Sequence, residues 1–280
     1  MIRPSFHRIG VVANLQKEEV RPFLAEFVSS LVKERFEVYV EPRMQPYLAS
    51  SEGVEVGIGR QCEVIVSLGG DGTILFTARQ YADLEIPILG INVGRLGFLA
   101  ETYKPDTIQR MKDGRFRIQN RMRVTAHLKE GDTVVQTFSA LNDVVVHGAG
   151  FSRMVNVRIV VDSRLLGKYR ADGVIIATPT GSTAYSLSAG GPLMAPTMEA
   201  IVVTPLCPHT TNVRSLVLDP SERIEAHVGA VRSKITVTVD GQEGSYLGEG
   251  QYILVEKSDK VTRLVVPEDY DYFSLLREKL

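Results

Sequence analysis

From its amino terminus the 280-residue chain alternates short unbroken apolar runs with stretches whose apolar residues recur every three or four positions. Residues 8–14 are such a run, too short for a helix and rich in β-branched side chains, and predict a buried strand. Pro22 then opens a helix on the stripe Phe23, Leu24, Phe27, Val28, Leu31 and Val32. Residues 36–40, 64–68 and 86–92 predict three more strands. Residues 42–59 read as loops with a short helix, and 73–81 as a helix. Strands that alternate with helices predict a Rossmann-like, layered α/β domain on a parallel sheet. In such a sheet ligands lie beyond the carboxyl ends of the strands, where residues 69–73 and 92–97 fall.

Near Pro105 the pattern changes. After a short helical stretch at 107–112 come segments of alternating or β-branched residues at 121–128, 133–138, 143–147, 155–161, 173–178, 201–205, 223–227, 234–239, 252–256 and 262–266. Turns rich in Gly, Asp and Ser separate most of them, which predicts a mostly β, sandwich-like domain. One helix, 182–189, interrupts it. The aromatic and apolar tail, 270–280, is expected to pack back on the first domain. The expected division is 1–104 with 267–280 returning, and 105–266.

A hydrophobic content of 44% supports buried cores, and a net charge of -1 supplies no general attraction to nucleic acid or to anionic membrane. No apolar run approaches the ~18 residues of a membrane span, and the first residues have no signal-peptide core. A cytoplasmic protein is therefore expected. Cys62 and Cys207 make neither a disulfide framework nor a zinc site, and the five histidines have no metal-ligand spacing, so no protein-held metal is expected. The P-loop fails because Asp162 and Tyr169 occupy positions that need Gly and Ser or Thr around Gly167-Lys168. Gly-x-Gly-x-x-Gly and Gly-x-Ser-x-Gly are absent as well.

Chemistry concentrates at Gly69-Gly70-Asp71-Gly72-Thr73, which joins a strand to a helix. Such a turn aims backbone N–H groups and a positive helix end at one point, suiting a phosphate, with Asp71 beside it. A helix cap plus turn glycines would explain the same residues. Further clusters are Gly90 to Leu99, Asn142-Asp143, Asp172-Gly173, the Ser/Thr-rich run 178–192 and Asp240-Gly241-Gln242. Together with the turn at 205–209 they resemble the NAD kinase family, in the family's order and over most of the chain. Gly-Gly-Asp-Gly-Thr is shared with lipid kinases, whereas Thr-Pro-Thr-Gly-Ser-Thr-Ala-Tyr-Ser-Leu-Ser-Ala-Gly-Gly-Pro is much more specific.

The resemblance implies transfer of the γ-phosphoryl of ATP, or of polyphosphate, to the 2′-hydroxyl of the adenosine ribose of NAD, giving NADP. It implies Asp71 as proton acceptor and Gly69, Gly70, Gly72 and Thr73 around the donor phosphates, with a divalent metal (Mg²⁺ or Mn²⁺) bridging those phosphates. NAD would be held by Asp71, Gly72, Phe98, Asn142, Asp143, Asp172, Thr183, Ala184, Tyr185, Ser186, Leu187, Ser188 and Gln242, with Arg153 and Arg170 near its pyrophosphate. A homodimer or homotetramer is implied. Competing readings are a lipid or diacylglycerol-type kinase, which does not need the run at 178–192, and a non-catalytic NAD(P) sensor, which does not need a base at Asp71.

Overall fold

The computed structural model describes residues 5–94, 97–150, 154–209, 212–229 and 234–280. The chain divides into two compact units, Met1–Asn120 with Thr262–Leu280, and Arg121–Val261. The expected division near residue 104 and this one differ by a helix and the start of a strand.

In the first unit β1 (Arg8–Ala13), β2 (Glu37–Val40), β3 (Val54–Val56), β4 (Val64–Gly69) and β5 (Ile88–Asn92) are parallel, in the order β3-β2-β1-β4-β5. From β1 the chain passes through α1 (Val20–Lys33) to β2 and β3 on one side. It then returns to β4 on the other side and passes through α2 (Asp71–Gln80) to β5. The order therefore reverses between β1 and β4, and the crevice at that reversal is the ligand position of an open parallel sheet. The short β6 (Glu101–Thr102) pairs with β5, and α3 (Thr107–Lys112) follows it. Strands buried on both faces read as unbroken apolar runs, which is why β1 and β4 were legible. The helix α1 buries Val20, Leu24, Phe27, Val28 and Leu31 in one cluster with Val11, Val38 and Val66.

The second unit starts within β7 (Phe116–Glu130), continues through β8 (Thr133–Ala140), β9 (Asp143–Gly148), β10 (Val155–Val161), β11 (Arg164–Ala171) and β12 (Gly173–Ala177), and then reaches the single turn α4 (Tyr185–Ser188). It ends with β13 (Ile201–Leu206), β14 (Leu216–Leu218), β15 (Ile224–Gly229), β16 (Ile235–Val239), β17 (Glu243–Leu247) and most of β18 (Gln251–Pro267). One antiparallel sheet runs β14-β13-β12-β9-β16-β17. The other contains β11-β10-β15-β18. Alternate residues of both, among them Val155, Val157 and Ile159 on β10 and Val237 and Val239 on β16, meet in one buried cluster, so the unit is a sandwich. The other face of β12 packs Ile175 and Ala177 into a smaller cluster with Met194 and Val202.

The end of β18 and α5 (Tyr272–Lys279) return to the first unit, as the apolar tail implied. Leu264 pairs in parallel with Ile88, Arg110 forms a 2.6 Å ion pair with Asp269, and the Arg117 guanidinium donates to the Tyr270 carbonyl at 2.9 Å. Among the described residues no helix is long and apolar enough to cross a membrane. Five strands, β3, β6, β11, β14 and β17, were not predicted; all but β11 have two to five residues, and Gly167 with three charged residues masks the alternation of β11. The helix expected at 182–189 is a 3-10 turn, Gly181–Thr183, followed by α4. The two strands expected at 252–256 and 262–266 are one continuous β18.

Leu24 is wholly buried. Leu24→Ala should lower unfolding stability by about 2–5 kcal/mol in a urea titration, and a change below about 1 kcal/mol would contradict the packing described for α1.

Candidate active site

Gly69 and Gly70 follow β4, and Asp71 is the first residue of α2 rather than a residue before it. Its side chain does not cap that helix. The carboxylate turns instead to a second segment: Oδ2 accepts the N–H of Phe98 at 2.7 Å, and Oδ1 accepts those of Leu99 and Ala100 at 3.0 and 3.2 Å. An ionised carboxylate has about four acceptor positions, so the clasp fills Oδ1 and leaves one position on Oδ2. The close passage needs glycine at 97, where a Cβ would overlap the Asp71 carboxylate. A Cβ at Gly69 would likewise overlap Thr73 Oγ1. The Thr73 N–H is bonded within the turn, to the Gly70 carbonyl at 2.9 Å, and its Oγ1 accepts the Gly70 N–H at 3.4 Å. Gly72 is exposed and Phe98 half-buried.

Two groups that sequence reasoning did not assign stand at the same turn. Lys17 Nζ and Asn92 Oδ1 each lie 3.9 Å from the point a Gly70 Cβ would occupy. Asn92 is 6% exposed; its amide donates to the Gly94 carbonyl at 3.0 Å, and its Oδ1 is buried without a hydrogen-bond partner.

In the second unit a similar carboxylate clasp recurs. Asp240, at a φ of 51° after β16, accepts the N–H groups of Leu141, Asn142 and Asp143 at 2.9, 2.7 and 3.1 Å. That holds the start of β9 in place. The run at 178–183 is stitched to it: the Thr178 hydroxyl donates to the Leu141 carbonyl at 2.6 Å, the Thr178 N–H donates to the Asn142 carbonyl at 2.8 Å, and a Cβ at Gly181 would overlap the latter carbonyl. Asn142 Oδ1 and Thr180 Oγ1 are buried with no partner, so both await a donor. Burial, with the neighbouring Asp240 charge added, pushes the Asp143 carboxyl up to about 7. Burial also raises Asp240, against the pull of the three N–H groups it accepts. Asp240 was legible only as an Asp-Gly turn.

Thr183 donates its hydroxyl to the Thr180 carbonyl at 3.1 Å, and Ala184 and Leu187 are half-buried. Tyr185 is 51% exposed, Ser188 and Gln242 are exposed, and Ser186 faces inward with its hydroxyl 2.9 Å from that of Thr204. Asp172 and Arg170 stand apart from this group. Across the β9–β12 ladder Ala177 faces Asp143 and Gly173 faces His147, so Asp172 lies six residues along the ladder from Asn142, about 20 Å at roughly 3.4 Å per residue. Arg170 is exposed on β11, and Arg153 lies outside the described residues. Among the described residues no group of three His, Cys, Asp or Glu side chains could hold a metal ion.

The sequence matches the model of the ATP-NAD kinase N-terminal domain over residues 9–115 and that of the C-terminal domain over residues 141–266. It is 40% identical over 277 residues to the NAD kinase of Desulforamulus reducens, covering 97% of this chain and 96% of that one. It is also 40% identical to the NAD kinase of Moorella thermoacetica, covering 98% and 89%. Among solved structures, the yeast NADH kinase complexed with NADH superposes with a TM-score of 0.85 at 28% identity, over 98% of this chain and 86% of that one. The NAD kinase from Archaeoglobus fulgidus in complex with ATP gives 0.72 at 26% identity, over 97% and 98%.

The raised Asp143 carboxyl makes stability depend on pH. Between the ~3.9 of an unfolded Asp and about 7, the folded chain keeps a proton that the unfolded chain releases, so stability from this group is full below pH ~4 and lost as pH rises through 7. Urea midpoints of the native protein should therefore fall more from pH 5 to pH 8 than those of Asp143→Asn. Parallel profiles would contradict this.

Proposed function

The chain belongs to the ATP-NAD kinase family, and on that premise we propose that Asp71 takes the proton of the ribose 2′-hydroxyl while the turn from Gly69 to Thr73 holds the phosphates of the donor. The enzyme transfers the γ-phosphoryl of ATP to NAD. The bond that forms joins the 2′-oxygen of the adenosine ribose to Pγ, and the bond that breaks joins Pγ to the β–γ bridging oxygen. ADP leaves with that electron pair, and NADP is the product. Such transfer gives the protein little covalent work, so the catalytic gain comes from position and charge.

The observation that carries this reading is the clasp on Asp71. Three N–H groups fix the carboxylate and leave one acceptor position on Oδ2. A carboxylate is too weak a base to ionise an alcohol in advance, but a fixed one accepts the proton as the new O–P bond forms. Asn142, Asp143 and the segment 178–188 hold the adenosine half of NAD, supported by the buried acceptors Asn142 Oδ1 and Thr180 Oγ1, which match the N–H₂ of adenine and the ribose hydroxyls. A divalent metal such as magnesium or manganese would come with the triphosphate and offset its charge.

The same reading makes the enzyme a cytoplasmic homodimer or homotetramer. The oligomer is supported by the ~20 Å that separates Asp172 from Asn142 along the β9–β12 ladder. Asp172 and Arg170 of one copy then serve the dinucleotide bound by its neighbour.

Two outcomes follow. With ATP, magnesium and NAD, Asp71→Asn should form NADP ~10²–10⁴-fold more slowly while equilibrium dialysis finds NAD binding retained. Native turnover in that variant would remove the proton-acceptor role. Mixing and reassociating inactive Asp71→Asn and Asp172→Ala chains should restore part of the activity, because mixed oligomers contain one intact site. No recovery, in mixed oligomers verified by mass, would overturn the shared site.

A further inference from the structure

The phosphate turn of the first unit has glycines, a hydroxyl and a carboxylate, but no cation of its own in residues 69–73. A transferring γ-phosphoryl carries charge on three equatorial oxygens, and the leaving ADP gains more. A positive side chain placed there is worth most in a site already fixed in position.

Lys17 is so placed. It follows β1, whereas Gly70 and Asp71 follow β4, and these adjacent strands flank the reversal of the sheet order. The Asn14 N–H donates to the Leu68 carbonyl at 3.1 Å, and the Lys17 N–H donates to the Asn14 carbonyl at 3.2 Å, so a short turn ties the lysine to the end of β4. The Val20 N–H donates in turn to the Lys17 carbonyl at 3.1 Å, which anchors it to the start of α1. The side chain is half-buried, and its ammonium has no ion pair or hydrogen bond among the described residues. Glu19, the nearby acid, instead brings its carboxylate 3.7 Å from the Cβ position of Gly94. Asn92 Oδ1, buried and without a partner, lies at the same 3.9 Å from the Gly70 Cβ position as the ammonium. An unpartnered cation and an unpartnered buried acceptor thus meet over one glycine at the crevice of the sheet.

We propose that Lys17 is a donor-phosphate residue of the enzyme: its ammonium binds the β- and γ-phosphate oxygens of ATP on the turn from Gly69 to Thr73 and stabilises the charge that gathers on the β-phosphate as the Pγ–O bond breaks. The proton of the ribose hydroxyl still goes to Asp71, and Lys17 gives up none. Lysine serves as a compact point charge there, its three donors free to follow the oxygens as the phosphoryl group moves. Asn92 Oδ1 accepts one of those donors or a hydroxyl of the nucleotide. The proposal rests on the assignment of the glycine turn to the donor.

The test compares Lys17→Met, Lys17→Gln and Lys17→Arg with the native enzyme, varying ATP with magnesium in excess and NAD saturating. Met and Gln should lower kcat/KM for ATP ~10²–10³-fold, as loss of one preorganised charge contact does. Arg should recover part of it. The dissociation constant of NAD and the melting temperature should stay at native values, which separates a phosphate contact from a structural role. Inorganic tripolyphosphate, a probe without nucleoside, should inhibit the native enzyme and lose its grip in Lys17→Met. Native kcat and KM for ATP in Lys17→Met and Lys17→Gln would overturn the proposal. Failure of the underlying reading looks different: tripolyphosphate would then fail to inhibit the native enzyme, whatever the lysine variants do.

Discussion

Three backbone N–H groups hold the Asp71 carboxylate, and the first unit is built so that they can. The donors come from residues 98–100, beyond the end of β5, while the acceptor opens α2 beyond the end of the adjacent β4. Parallel pairing of β4 with β5, Gly69 beside Asn92, brings the two strand ends level. Glycine at 97 lets the second segment pass without meeting the carboxylate, and glycine at 90 admits Ile74 of α2 against β5. Any slip in the β4–β5 register would part donors from acceptor. The clasp therefore needs the sheet to be right before the chemistry can be.

The second unit solves a related problem with the same device. Asp240 closes a hairpin after β16 and clasps the N–H groups of residues 141–143, so the amide of Asn142 and the carboxyl of Asp143 stand where β9 begins. Two buried carboxylates next to one another repel, and part of that cost appears as the raised Asp143 carboxyl. A structure that needed only turns would not bury acids together. On the proposed reading, the hydroxyls, amine and phosphates of two substrates would meet Asn92 Oδ1, Asn142 Oδ1, Thr180 Oγ1 and the Lys17 ammonium.

Much of this was legible in the chain. Runs such as 64–68 are apolar because β4 is covered on both faces, and the glycine turn is visible because only glycine tolerates contacts as close as those at 69. The Ser/Thr-rich run at 178–192 pointed to NAD through its resemblance to the family, and its Thr178 hydroxyl ties the run to Leu141 beside β9. Other features were hidden for physical reasons. The strands β3, β14 and β17 are short and largely exposed, so burial leaves little pattern in them, while β18 carries its polar centre because its neighbours hold it extended. Lys17, Asn92 and Asp240 are brought to their sites by contacts made at a distance in sequence, and each looks ordinary in its own neighbourhood. The position of Asp172 could not be foreseen either, because only the β9–β12 register sets it far from Asn142.

The central claim is that this fold moves the terminal phosphoryl of ATP onto the 2′-oxygen of NAD. The direct measurement is the fate of a labelled γ-phosphate when the purified protein is given ATP, magnesium and NAD. The account predicts label in NADP, released by a phosphatase that cleaves the 2′-monoester, with one ADP formed per NADP. Label recovered only as inorganic phosphate, or left in ATP, would contradict it.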